Sequence, residues 1–182
     1  KNDILTEASK VHVDGDITAR RHILKDAFNA VVEGDITLTS YVGLDAVNAR
    51  VLGDINHVRN VFNGSENVRI HGDIVGGGKV LKNTVDSHVR GDVDGNEILV
   101  NAQDSSIIGD VSGVNDILSR SENSWIQGDV SGLRVMNESK DSVIRGSVDT
   151  KHLLSRSENS LVVGEEIKVD NDLGREAQDC IV

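Results

Sequence analysis

The chain has 182 residues, of which 37% are hydrophobic but only 2% aromatic, with no proline, one cysteine and a net charge of -11. So acidic a balance argues against nucleic acid or an anionic membrane surface as a partner, and no apolar run is long enough to span a bilayer. The lone Cys180 excludes an internal disulfide framework, and the scarcity of Phe, Tyr and Trp excludes a conventional aromatic core.

A repeat is present from the first residues. Ile4-Leu5 and Ala8 already stand in phase with the later units, so the repeat begins without an amphipathic cap. An opening at Lys1 rather than Met points to a processed form or a fragment. The first full V-x-G-D-I step runs from Val13 to Ile17. Its glycine, Gly15, recurs at Gly34, Gly53, Gly72, Gly91, Gly109, Gly128, Gly146 and Gly164, with spacings of 19, 19, 19, 19, 18, 19, 18 and 18. Two residues before each glycine stands Val or Ile, two after it Ile or Val as far as Val148, and four before it a compact side chain, from Val11 to Ser160. These offsets share a parity, and alternate side chains of a strand point to one face. Each step is therefore predicted to be a strand with its aliphatic face inward, bent at the glycine.

A second element lies between the steps. Apolar pairs run from Ile23-Leu24 to Leu153-Leu154, each followed by a small residue such as Ala27, Ala46 or Ser121. Two or three short strands per 18 to 19 residues predict an all-β fold, a parallel β-solenoid of about 9 to 10 coils, each stacked on the last. At about 4.8 Å per coil the rod would be roughly 45 Å long. One solenoid domain is expected over residues 1–182, with 167–182 as a degenerate last coil or tail in which Leu173 and Ile181 keep phase. Helical repeats need longer units and a 3.6-residue stripe. The aliphatic offsets also miss the six-residue spacing of a left-handed hexapeptide helix, so a right-handed coil is expected.

Stacking coils turns columns of sequence into ladders. Five residues before each glycine stand Asn29, Asn48, Asn67, Asp86, Asp104, Asn123, Asp141 and Asn159. Stacked amides can bond along the axis, and Asn and Asp accept the left-handed backbone of a corner. Directly after the glycine stand Asp16, Asp35, Asp54, Asp73, Asp92, Asp110 and Asp129, then Ser147 and Glu165. Neighbouring carboxylates in such a column repel by about 1 kcal/mol in water. His12, Arg50, Arg69, His71, His88, Arg90 and Arg145, on the same outward side, are expected to offset that repulsion. Calcium needs about six to eight converging oxygens, which one column does not supply, so a structural column is preferred to a cation site.

Catalysis would need a place where the repeat breaks into a unique constellation. Here the acidic residues are the repeat, and His12, His22, His57, His71, His88 and His152 are scattered along it. The V-G-G-G-K stretch at 75–79 lacks the ending of a phosphate-binding loop and reads as a corner. The expectation is a protein that is not an enzyme and has no cofactor. A contact patch is expected where Ile108, Trp125, Val143, Leu161 and Val163 face outward, docking another chain or covered by the C-terminal tail. The closing Cys-Ile-Val resembles a prenylation box without its fourth residue.

The steps VVEGDI, RVLGDI and RIHGDI resemble those of the bactofilins, bacterial cytoskeletal proteins with a right-handed β-helix. The resemblance implies end-to-end polymerisation without nucleotide, and a cytoplasmic setting. The leading expectation is a structural rod, filament or shaft whose partner is itself, end to end or laterally. The alternative is a surface adhesin or secreted effector that binds another protein. A polysaccharide-active β-helix enzyme is a minor third.

Overall fold

The computed structural model describes residues 3–38, 40–57, 59–76 and 78–182, for His57 the backbone alone. Lys1, Gly77 and the side chain of His57 lie outside that set. The described chain is all β, and its strands pair in parallel with the equivalent strands of neighbouring coils, in about nine stacked turns. Nine strands of three residues, from His12–Asp14 to Leu161–Val163, form one sheet, and these are the segments just before the marker glycines. A 14-stranded sheet takes the chain after the glycine. A third side is held by single-residue bridges running from Ser9↔Phe28 to Glu158↔Gln178.

The marker glycine is dictated by both space and backbone. From Gly34 to Gly146 its φ lies between 146° and 155°, a region that side-chain-bearing residues rarely enter. A Cβ on Gly91 would lie 2.2 Å from the carbonyl oxygen of Gly72 in the coil before, and Gly128 and Gly146 stand against the preceding glycine in the same way. Only a residue without a Cβ lets successive coils close to ladder distance at this bend.

The apolar pairs have a different explanation. Ile23 and Leu24 are both buried although they are adjacent, which strict alternation forbids. Leu24 is left-handed, with φ of 58°, and this turns its side chain back inward. Asp26 and Asn29 follow at 52° and 53°, and the same three positions are left-handed in each coil, from Leu5 through Asp179. In all, 27 non-glycine residues among those described have this conformation. It costs roughly 1–2 kcal/mol per residue. Full burial of a leucine returns about 1.5–3 kcal/mol, so the apolar corner sustains itself. Where the third coil carries Gly43, the ring of Phe62 in the next coil fills the vacant space; a Cβ on Gly43 would lie 2.0 Å from that ring.

The core is one continuous column of Val, Ile and Leu from Ile17 to Val162, flanked by the compact columns that carry Ala30 and Ala49 early and Ser124 and Ser142 late. The late serines are satisfied. Ser124 donates to the Glu122 carbonyl at 3.0 Å and accepts the Ser105 N–H at 3.3 Å. Ser121, Ser139 and Ser157 donate to the carbonyls of Leu99, Leu118 and Met136, the left-handed residues of the preceding coil.

Coil length varies by one residue, and the variation is confined to one side. Early coils place two short strands there, such as Ile17–Thr18 and His22–Ile23. Later coils fuse them into bent strands, Val93–Ile98, Val111–Ile117, Val130–Val135, Val148–Leu153 and Ile167–Leu173, with register shifts inside three of the four pairings. One expectation is corrected here. Val148 N–H bonds the Glu166 carbonyl as Val130 N–H bonds that of Ser147. The residue after Ser147 in the acidic column is therefore Glu166, not Glu165, because one extra residue precedes Ile167. Residues 174–182 continue the coil: Gln178 bridges Glu158 and Ile181 bridges Leu161.

Candidate functional site

The surfaces that can meet another molecule are columns of outward side chains, and each has its own chemistry. In the acidic column, the N–H of Asp35 bonds Oδ1 of Asp16 at 2.9 Å, and the N–H of Asp54 bonds Oδ1 of Asp35 at 2.8 Å. The same bond joins Asp73, Asp92, Asp110 and Asp129 in turn and ends at the N–H of Ser147. Each carboxylate thus receives a charge-assisted hydrogen bond from the next coil, roughly twice as strong as a neutral one. The expectation that arginines and histidines balance this column is corrected: among the described residues no column aspartate forms an ion pair. Arg69 and His88 turn instead to Asp86, and His12 to Glu33. A backbone donor one coil away was closer to the carboxylate than any side chain on the adjoining strand.

The corner ladder divides in two. Asn48 Nδ2 donates to Asn29 Oδ1 at 2.8 Å, and Asn67 Nδ2 to Asn48 Oδ1 at 2.6 Å. At Asp86 the amide run ends. Arg69 donates to its carbonyl at 2.6 Å and to its carboxylate at 3.4 Å, and His88 Nε2 lies 3.1 Å from the same carboxylate. Asp104, Asn123, Asp141 and Asn159 hold the left-handed corner, with no side-chain ladder bond among the described residues.

Residue types did not reveal a third column. It runs through Lys79, Glu97, Asp116, Arg134, His152 and Asp172 on successive coils. Arg134 clasps Asp116 with Nε on Oδ1 at 2.6 Å and Nη2 on Oδ2 at 2.8 Å, and His152 Nδ1 meets Asp172 Oδ2 at 2.9 Å. The hydrogen bond to Asp116 raises the Arg134 pKa above its ordinary value. A base raised in this way contributes its stability below the unfolded value and loses it only in strong alkali. Opposite charges on adjacent coils thus balance this column, whereas the acidic column has none.

The expected contact patch is gathered only in part. Trp125, Val143 and Leu161 stack directly on successive strands, and Ile181 bridges Leu161 and extends that column. Ile181 is 65% exposed. Ile108 and Val163 lie in the neighbouring column, separated by Gln127 and Arg145. The C-terminal residues do not fold over this face; they add a rung to it, with Val162 N–H bonded to Ile181 O and Ile181 N–H to Ser160 O. Across the seven strands from Arg50–Leu52 to Leu161–Val163 the sheet carries Arg50, Arg69, Arg90 and Arg145, with His71 and His88, and no carboxylate.

On the adjoining side a groove of about 500 Å³ is lined by Asp73, Asp92, Asp94, Asp110, Asp129 and Asp149. Among the described residues no three His, Cys, Asp or Glu side chains converge as a metal site would require, and no helix is long and apolar enough to cross a membrane. Among the described residues the histidine–carboxylate contacts, His12–Glu33, His22–Asp3, His88–Asp86 and His152–Asp172, use four different carboxylates, and only the first two fall on the same pair of coils.

No family model, curated protein or solved structure matches the chain. What stands is the class: a parallel β-solenoid repeat fold.

Proposed function

We propose that the chain is a non-enzymatic structural rod that assembles end to end. The observation that supports this most is the equivalence of the rungs. Each three-residue strand of the nine-stranded sheet pairs with the next in the same parallel register, from His12↔Val31 to Val143↔Leu161, and from Gly34 on each marker glycine meets the carbonyl of the glycine one coil before. Val31 N–H bonds the Val11 carbonyl at 2.8 Å and Gly15 N–H bonds the Glu33 carbonyl at 2.7 Å. Alternation along the ladder then turns the N–H groups of His12 and Asp14 to the side away from the second coil. Strand edges template further strands, so a rung of a second copy would meet the geometry that every internal coil already accepts. The likeness of the repeated step to that of the bactofilins agrees with this reading.

The test is electron microscopy of the purified chain beside Asp14→Pro. Proline is tolerated on an edge strand when its missing N–H faced outward, so the variant should fold as the wild type does. Wild type is expected to form filaments of coil width and the variant short single rods. Wild-type rods that never lengthen would refute the reading. They would favour the alternative, a rod that displays a face to another protein, for which the apolar column from Trp125 to Ile181 is the supporting observation.

A further inference from the structure

The fold uses one oxygen of each column aspartate, to accept a backbone N–H. An asparagine would supply the same oxygen without the repulsion of about 1 kcal/mol per neighbour in water. The chain does use neutral amides where coils need a ladder and no charge, at Asn29, Asn48 and Asn67. Where a charged column is only structural, opposite charges pair across neighbouring coils, as Asp116 and Arg134 do. The stronger charge-assisted bond offsets the repulsion at best, so the column leaves a row of exposed negative charge that the fold does not require. On the neighbouring side, in a chain of net charge -11, seven consecutive strands exclude carboxylates and four of them carry arginine.

We infer that these two sides are halves of one lateral contact: the arginine-bearing sheet of one copy packs into the acidic groove of a second copy. The occupant is a second copy because of spacing. Both rows repeat once per coil, at about 4.8 Å, so charges on two rods of this chain stay matched over several coils. Arg50, Arg69 and Arg90 then face Asp92, Asp110, Asp129 and their neighbours. The sheet and the groove lie on adjoining sides of one rod, so the contact is head-to-tail in the lateral sense. Such a contact does not stop at a two-fold dimer and builds rings or rafts. The inference deepens the reading of the chain as a self-assembling rod and rests on it.

The test is sedimentation velocity at physiological salt over a range of micromolar concentrations. Fluorescence of Trp125, the one tryptophan, reports burial of the sheet. Arg50→Glu with Arg90→Glu alters the sheet, and neither arginine forms an ion pair among the described residues. Asp94→Lys with Asp149→Lys alters the groove outside the backbone-accepting column. Asp92→Asn with Asp110→Asn and Asp129→Asn removes charge while keeping every acceptor, and so guards against misfolding.

Wild type should grow in mass beyond a dimer, with a blue shift of its emission. Each altered rod should weaken association at least tenfold, and mixing the Glu and Lys rods should restore it, since each retains one intact half. Association that all three altered rods keep would overturn the inference. So would wild-type rods that bind a heparin matrix through this sheet but never each other. Asp14→Pro rods that still form rafts would separate this contact from end-to-end stacking. Filaments that never bundle would sink the lateral contact and leave the stacking intact.

Discussion

The early and late coils build the same rung in different ways. Around Ala27, Ala30, Ala46 and Ala49 the compact inner columns are methyl groups, and the corner is tied by the amide ladder of Asn29, Asn48 and Asn67. From Ser121 to Ser160 the same inner columns are hydroxyls bonded to carbonyls of their own or the preceding coil, and the Asn ladder is gone. Two short strands on one side of an early coil become one bent strand in a late coil. What does not change is the backbone: three left-handed residues per coil and a glycine pressed on a glycine. The rung is set by backbone conformation, and packing and hydrogen bonding are interchangeable ways of filling it.

The largest test of that difference lies in the early coils. Phe62 fills its own site and the space that Gly43 leaves. Phe62→Ala should cost about 4 kcal/mol, near the upper end for a large-to-small change, because no side chain can relax into the gap. Urea denaturation would measure it; Met136→Ala, at the equivalent late position, should cost less. Next comes the shared backbone. Gly91→Ala places a Cβ against the Gly72 carbonyl and should cost about 3 kcal/mol, whereas Gly15→Ala, which meets nothing, should cost about 1 kcal/mol for its φ alone. Equal midpoints for the two would mean that the coils do not meet at the glycines. The smallest effect is the hydroxyl exchange. Ser124→Ala leaves the Ser105 N–H without its acceptor and should cost about 1–2 kcal/mol. Ala49→Ser, which would offer its hydroxyl to the Ala30 N–H as Ser124 does to that of Ser105, should raise stability by under about 1 kcal/mol. If Ser124→Ala proves neutral, the serines pack and do not bond.

Much of this architecture was legible in residue order. The glycine period and the shared parity of Val32, Gly34 and Ile36 define stacked strands, and the strands are there. Three features were not legible. Left-handed Leu24, Leu81 and Met136 carry no signal, because aliphatic residues have no preference for that conformation; burial imposes it. The partner of each column aspartate is a backbone N–H one coil away, and residue types say nothing about backbone donors. Trp125, Val143 and Leu161 were recognisable by parity, but their separation from Ile108 depends on which of two outward columns each occupies. Ile181 joins them only because the last coil takes one extra residue before Ile167 and a second at the register shift opposite Thr150 and His152.

The side that absorbs changes in coil length is the fused strand, where Val114 bulges out, 72% exposed, while the nine-stranded sheet opposite keeps perfect alignment across coils of 18 and 19 residues. A slip of one residue in a tandem duplication is thereby hidden from the opposite wall. Such a gene could lengthen or shorten its product by whole coils without repairing the junction, and a foreign peptide spliced at Val114 would ride on the rod as a tag.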